Sequence, residues 1–165
     1  MSDNNSKGVS NEQECFIDCL IEFLKSEGLE QRTLGVNDYD INAPLNGIRP
    51  VMMKSNGLLA IALKKTHIET GCQYKEVGIV CTIPYFQIKP VMAFQLGLPA
   101  LILRDKSVIL DGILEKRVLE GIMSVFDMKN GCEYFRSDEF LELLRDWTAD
   151  VRTVAKYKGN SPRLY

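Results

Sequence analysis

The chain has 165 residues, of which 45% are hydrophobic and 25% are charged, a composition typical of one globular domain with one core. Its 20 basic and 22 acidic side chains leave a formal net charge of −2, which gives no electrostatic basis for nonspecific binding to nucleic acid or to an anionic membrane. No apolar run approaches the roughly 20 residues of a membrane-spanning helix, and the polar N-terminus lacks the apolar stretch of a secretory signal.

The two ends of the chain differ in composition from the middle. Residues 1–10 are polar and show no apolar periodicity, so we predict that they are disordered. Residues 11–158 form one predicted domain, and residues 159–165 form a loose tail.

Two amphipathic helices are predicted near the ends of this domain. Ser10 and Gln13 form a capping-box pattern ahead of a helix over residues 11–27. Ser137 is a predicted N-cap for a helix that runs to about residue 157, with acidic residues in its first turn. The second helix has an apolar stripe that predicts a buried face, made of Phe140, Leu144, Trp147, Val151 and Val154.

Short apolar runs between these helices predict the strands. The runs at 58–63 and 99–104 are continuously apolar, as in strands that are covered on both faces. A further strand is predicted at 29–34, a possible short strand at 77–81 and an edge strand at 122–126.

Two more helices connect the strands. One has Asn42 as its predicted cap, Pro44 in its first turn, a kink or a weakened middle at Pro50 and an end at Asn56-Gly57. Its predicted buried stripe is Leu45, Ile48, Met52 and Met53. The other runs over residues 86–97 and closes at Gly97. This alternation predicts an α/β fold with a doubly wound, Rossmann-like or flavodoxin-like parallel sheet and helices on both faces.

The cysteines and the single histidine limit the available chemistry. There is no CxxC pair among Cys15, Cys19, Cys72, Cys81 and Cys132, so we expect free thiols, a reducing cytoplasm and no metal site. His67 is the only histidine, and it is more simply a solvated loop residue than a general base. The sequence contains no GxGxxG, no GxxxxGK[ST] and no GxSxG motif.

In a parallel sheet, ligands bind outside the carboxyl ends of the strands. The loop at residues 35–42 follows one predicted strand and is rich in polar groups, among them Asn37 and Asp38, with Arg32 just before it. Asp38 and Asp40 could hold sugar hydroxyls. An ordinary capping loop explains them equally, because Asn and Asp favour turns.

A second candidate group lies where the loop at residues 64–85 meets the next helix. Tyr85, Gln87 and Lys89 are close together there, and Lys89 is expected in the first turn of the helix. A cation at that end opposes the helix dipole. An anion held jointly by Lys89 and the free backbone amides would explain its presence. The alternative is an exposed lysine without a ligand.

Two segments, residues 32–63 and 87–118, resemble the nucleoside 2-deoxyribosyltransferase-like and TIR-like domains of bacterial proteins. The turn Leu96-Gly97-Leu98-Pro99 matches the one that leads from a helix into a buried strand in that group. The resemblance implies a nucleotide-sized pocket, a role in bacterial or phage-related defence or signalling, and a catalytic carboxylate at the position of Lys89. Two features depart from the pattern. Domains of that group usually open with a strand before the first helix, which residues 1–10 are not expected to supply, and lysine replaces the carboxylate.

Three functions follow from these observations. The favoured one is a catalytically silent domain that binds a nucleotide or nucleotide-derived signal, with Lys89 on a phosphate and Asp38 and Tyr85 on sugar and base. The alternatives are an enzyme that cleaves an N-glycosidic bond of a nucleoside, nucleotide or NAD, and an assembly domain without a ligand. No cofactor is expected, and a second copy or a larger protein partner could cover the edge left by the missing strand.

Overall fold

The computed structural model describes residues 11–31, 44–64, 84–110, 112–115 and 122–158. The helices are α1 (Asn11–Ser26), α2 (Pro44–Lys54), α3 (Pro84–Gln95) and α4 (Asp138–Tyr157). The strands are β1 (Leu58–Ala62), β2 (Ala100–Asp105) and β3 (Ile122–Phe126). Two 3-10 helical segments, Gly112–Leu114 and Met128–Arg136, precede and follow β3.

The three strands form one parallel sheet in the order β1-β2-β3. This arrangement confirms the predicted parallel pairing of the two continuously apolar runs, and β3 confirms the strand predicted at 122–126, which lies at an edge of the sheet among the described residues. The fold is therefore α/β. The order does not reverse among these three strands, so the doubly wound topology stays a prediction.

Alternate residues of the strands pack into different layers. On one face, Leu101 and Leu103 of β2 pack with residues of α1 and α4. On the other face, Ile102 packs with Leu114 of the first 3-10 segment, and Leu58 packs with α2 and α3. Helices thus lie on both faces of the sheet, as expected for parallel strands that are buried on both sides.

The predicted helices agree closely with α1 and α4. Ser137 caps α4, because its Oγ accepts the backbone N–H of Phe140 at 3.3 Å. Of the predicted stripe, Phe140, Leu144, Trp147 and Val151 are buried, and Val154 is half-buried.

The turn after α3 explains how the chain enters β2. Gly97 has a φ of +66°, a left-handed conformation that suits glycine after a helix. The N–H of Gly97 bonds to the carbonyl of Phe94 at 3.0 Å, and that of Leu98 bonds to Ala93 at 2.8 Å. These bonds satisfy the last carbonyls of α3 and confirm the predicted end of this helix at Gly97.

Two sequence predictions about local structure are wrong, namely the strand at 29–34 and the burial of Met53. Residues 29–31, the described part of the strand predicted at 29–34, are not in a strand. Helix α2 includes Pro50 and ends at Lys54, so a kink or a weakened middle at Pro50 stays a prediction. Met53 is 56% exposed, whereas Ile48 and Met52 are buried. Residues four apart share a helix face, and Met53 lies about 100° away from Met52 around the axis. The predicted cap Asn42 and the possible strand at 77–81 lie outside the described residues, as does the side chain of Leu45.

The prediction of free thiols throughout is also wrong, because Cys19 and Cys132 form a disulfide with a Cα–Cα distance of 6.1 Å. Cys19 lies in α1, and Cys132 lies 113 residues later in the second 3-10 segment. The packing of α1 on that segment brings the two together, and sequence spacing does not reveal such a contact. Cys15 is a free, exposed thiol, and Cys72 and Cys81 lie outside the described residues.

Gly57 lies in a tight contact between β1 and α4. A Cβ atom at this position would lie 2.5 Å from Cγ2 of Val151, 3.2 Å from Cζ2 of Trp147 and 3.3 Å from the carbonyl oxygen of Pro99. The absence of a side chain therefore lets α4 approach the start of β1.

We expect Gly57→Ala to lower the free energy of unfolding by about 1–3 kcal/mol, the usual cost of overpacking. Because Val151 makes the shortest contact, Val151→Ala should recover part of this loss when combined with Gly57→Ala. Urea denaturation of the four proteins in this double-mutant cycle measures the coupling. Strictly additive effects of the two substitutions would contradict the predicted contact.

Candidate functional site

The carboxyl ends of the three parallel strands lie side by side at one end of the sheet. This end of the strands is here called the carboxyl edge and is defined by Ala62, Asp105 and Phe126. The N-terminal part of α1 reaches this edge, because Nε2 of Gln13 donates to the carbonyl of Lys64 at 2.8 Å. Helices α1 and α4 end at the opposite edge, where Nη2 of Arg152 donates to the carbonyl of Glu27 at 3.3 Å.

The turn after β2 is closed by its own polar groups. Asp105 is only 5% exposed, and its Oδ1 accepts the backbone N–H of Ser107 at 3.1 Å. Nη1 of Arg104 donates to the carbonyl of Val108 at 2.6 Å. Nε of Arg104 is buried and has no hydrogen-bond partner among the described residues. The turn after β2 is therefore held by its own hydrogen bonds, and the carboxylate of Asp105 is buried at this part of the carboxyl edge.

An ion pair between Lys106 and Asp127 links the ends of β2 and β3. The hydrogen bond from Lys106, and then the backbone N–H of Lys129, hold the pKa of the Asp127 carboxyl below its usual value. Asp127 also caps the second 3-10 segment through that same N–H. Because the pair is exposed to solvent, we expect it to contribute little to stability.

The start of α4 is occupied by acidic groups. The hydroxyl of Tyr134 donates to Oγ of Ser124 at 2.6 Å, and Oγ of Ser124 donates to Oε1 of Glu139 at 3.3 Å. Burial raises the pKa of Tyr134 above its ordinary value. Glu139 and Asp138 lie in the first turn, where carboxylates complement the helix dipole. An anionic ligand would be repelled there, so this helix end does not suit a phosphate.

The start of α3 differs from that of α4, because the first turn of α3 contains no acidic residue that would repel an anion. The C-terminal end of α3 joins the amino end of β2 through residues 96–99. Since α3 packs against both β1 and β2, its N-terminal end is directed towards the carboxyl edge.

Lys89 is the sixth residue of α3, in the second turn, and its side chain is half-buried. The expectation that it lies in the first turn is wrong, because the helix begins two residues earlier than predicted. Side chains on a helix tilt towards its N-terminus, so we expect the ammonium group of Lys89 to extend towards the first turn.

The other predicted site residues cannot be placed around Lys89. Arg32, Asn37 and Asp38 lie outside the described residues. Tyr85 and Gln87 belong to the first turn of α3, and the structure describes their backbone alone. The structure thus brings Tyr85, Gln87 and Lys89 onto one helix end.

A second group of reactive side chains was not predicted from the sequence. The sulfur atoms of Cys15, Cys19 and Cys132 lie within 4.8 Å of one another. Three cysteines at this spacing are the donors that thiophilic metals prefer, but only thiolates bind a metal. With Cys19 and Cys132 joined, the trio could hold a metal only after reduction. The i, i+4 spacing of Cys15 and Cys19 was the only sequence signal for it.

A surface depression lies at the end of α1, lined by Lys25, Gly28, Leu29, Glu30 and Gln31. It is at the edge of the sheet opposite the carboxyl edge, and it borders residues outside the described part of the chain. It therefore does not contribute to the site at α3.

Comparison of the chain with models of protein families, with curated proteins and with solved structures found no significant match. The resemblance seen in residues 32–63 and 87–118 therefore remains a prediction. Within the described ranges, none of the helices combines the length and apolar character needed to cross a membrane.

Proposed function

We propose that this chain binds a phosphate-bearing nucleotide, or a signal derived from one, at the carboxyl edge beside the start of α3, and leaves it intact. The observation that carries this proposal is the position of Lys89, half-buried on α3 and one turn from the helix N-terminus. A parallel sheet with helices on both faces binds ligands at this edge in many proteins of the class.

The electrostatics of the two helix ends support the choice of α3. Carboxylates occupy the first turn of α4, whereas the first turn of α3 has none and a lysine follows it. Free amide groups, the helix dipole and a nearby ammonium group all favour a phosphate. In this proposal Asp38 and Tyr85 contact the sugar and the base, and Arg32, Asn37 and Gln87 complete the pocket.

The absence of cleavage follows from charge. Breaking an N-glycosidic bond develops positive charge at the anomeric carbon, which a carboxylate stabilises. The resemblance places Lys89 where such a carboxylate is expected, and an ammonium group there would raise the energy of that transition state. We therefore propose recognition without turnover, within bacterial defence or signalling.

The same proposal places the chain in the cytoplasm, in a homo-oligomer or with a larger protein partner. Disulfides are rare in that compartment, and those that form are usually transient, catalytic or redox-sensing. In a cytoplasmic chain, the Cys19–Cys132 disulfide is therefore expected to be transient, catalytic or redox-sensing.

The test compares the chain with Lys89→Glu. A thermal-shift panel of nucleosides, nucleotides, cyclic dinucleotides, NAD and ADP-ribose should show stabilisation by phosphate-bearing compounds. Calorimetric titration with the most stabilising compound should then give a Kd at least about tenfold higher for Lys89→Glu, a difference of about 1.4 kcal/mol. Lys54→Glu, at the exposed end of α2, changes the net charge equally and should bind as the unaltered chain does.

Each other outcome contradicts the proposal in a different way. Chromatography of the titrated ligand detects any released base or nicotinamide, and release by the unaltered chain would identify an enzyme. No thermal shift with any compound would favour an assembly domain. An equal loss of affinity in Lys54→Glu would show that net charge, and not a site at Lys89, governs binding.

A further inference from the structure

We propose that Cys15, Cys19 and Cys132 form a thiol–disulfide exchange site, in which the exposed thiol of Cys15 exchanges into the Cys19–Cys132 disulfide. The three sulfur atoms lie within 4.8 Å of one another. One of them is a thiol and the other two are joined, so an attacking group and its target are already together.

The exchange is balanced within the chain. The thiolate of Cys15 attacks Sγ of Cys132, the new bond joins Cys15 to Cys132, and the Cys19–Cys132 bond breaks. Its electron pair leaves on Sγ of Cys19, which takes up a proton from solvent. One thiol and one disulfide are present before and after, so no external oxidant or reductant is needed.

Helix geometry selects Cys132 as the sulfur that is attacked. Cys15 and Cys19 are four residues apart on α1, a spacing that puts their Cβ atoms about 5–6 Å apart. A disulfide needs a Cβ–Cβ distance of roughly 3.5–4.5 Å. A Cys15–Cys19 bond would therefore distort the helix, whereas Cys132 lies on a different element and can bond to either partner.

The contact between α1 and the second 3-10 segment does not depend on the disulfide alone. The ring of Phe16 lies 4.6 Å from that of Phe135, centroid to centroid, and stacks at 6.5 Å on that of Tyr134. These aromatic contacts hold the segment against α1 while the sulfur atoms exchange. The covalent link moves by one helical turn and remains between the same two elements.

Exposure gives Cys15 its part in the exchange. Cys19 and Cys132 are half-buried and pack against the apolar core, whereas Cys15 is exposed. The thiolate of Cys15 can therefore also attack a small-molecule disulfide in solvent, which forms a mixed disulfide on Cys15 and releases the other half of the molecule as a thiol.

The experiment uses the full chain carrying Cys72→Ser and Cys81→Ser, so that only the three cysteines of the site remain. The protein is oxidised with glutathione disulfide, desalted, held at pH 8 and treated with excess N-ethylmaleimide at successive times. Peptic digestion in acid, which prevents further exchange and can cleave at Phe16 between Cys15 and Cys19, is followed by mass spectrometry.

We expect N-ethylmaleimide on Cys15 in some molecules and on Cys19 in others, with a matching Cys15–Cys132 peptide pair. The Cys15–Cys132 form should reach at least about a tenth of the total disulfide, the ratio given by a 1.4 kcal/mol difference between the two bonds. Label confined to Cys15 at every time would overturn the proposal, as would a failure of the oxidised chain to form any disulfide among the three.

Two further variants test the direction of attack. Cys19→Ser should form the Cys15–Cys132 disulfide on oxidation, and Cys132→Ser should leave both remaining thiols labelled. A Cys15–Cys19 peptide pair from Cys132→Ser would overturn the choice of Cys132 as the sulfur attacked. Far-UV circular dichroism tests whether each variant is folded. If a variant does not fold, the labelling of the chain that keeps all three cysteines still decides the question.

Discussion

Trp147→Ala should lower the free energy of unfolding by about 3–5 kcal/mol, the usual cost of removing a large buried aromatic side chain. Trp147 is 6% exposed and packs in the same cluster as Leu101 and Leu103 of β2. Its ring lies close to Gly57 at the start of β1, so the cavity left by alanine would lie between α4 and the sheet. Urea denaturation followed by far-UV circular dichroism measures the loss, since Trp147 is the only tryptophan and its fluorescence disappears with it.

The hydrogen bond made by the indole should account for a small part of this loss. Nε1 of Trp147 donates to the carbonyl of Pro99 at 3.1 Å, and that carbonyl also accepts the N–H of Leu58 at 2.9 Å. Pro99 therefore keeps a partner when the indole is removed. Trp147→Phe retains much of the ring volume, so it should cost less than Trp147→Ala. A loss under 1 kcal/mol for Trp147→Ala would mean that α4 is peripheral to the core.

Trp147 also illustrates which parts of the fold could be predicted from the sequence. Its burial followed from the recurrence of apolar residues at helical spacing between Phe140 and Val151, because a helix places such residues on one face. The strands β1 and β2 followed from continuous apolar runs. These features depend on neighbours close in sequence, and the structure confirms them.

Features that depend on contacts between distant segments could not be predicted in this way. The Cys19–Cys132 disulfide depends on how α1 packs against a segment more than 100 residues away. Spacing in the sequence gives no information on that contact.

Less of the candidate site than of the fold could be predicted from the sequence. The rule that ligands bind at the carboxyl ends of parallel strands pointed to the start of α3, and the backbone of α3 places Lys89 in its second turn. The predicted position of Lys89 within the helix was wrong by two residues, about half a turn, since Pro84 and Tyr85 already belong to α3. A helix boundary inferred from propensity is uncertain by a few residues, and for a site at a helix end that shift changes which amides are free.

Phe140→Ala should have an effect as large as that of Trp147→Ala, about 3–5 kcal/mol. The side chain of Phe140 is completely buried, and its ring lies 5.1 Å from that of Phe135, 5.2 Å from that of Tyr134 and 5.8 Å from that of Phe23, between ring centroids. It thus contacts both α1 and the second 3-10 segment from the first turn of α4. Alanine would remove these ring contacts together and leave a cavity where three elements meet.

Leu141→Ala provides a matched control, because Leu141 is the next residue of α4 and is 40% exposed. We expect this control to lose well under half as much stability as Phe140→Ala, since less apolar surface is withdrawn from water. Phe140→Leu should lie between the two, because leucine fills part of the cavity without the ring contacts. Urea denaturation of all three variants measures these differences. Similar losses for Phe140→Ala and Leu141→Ala would mean that helix propensity, and not the packing of aromatic rings, determines stability at the start of α4.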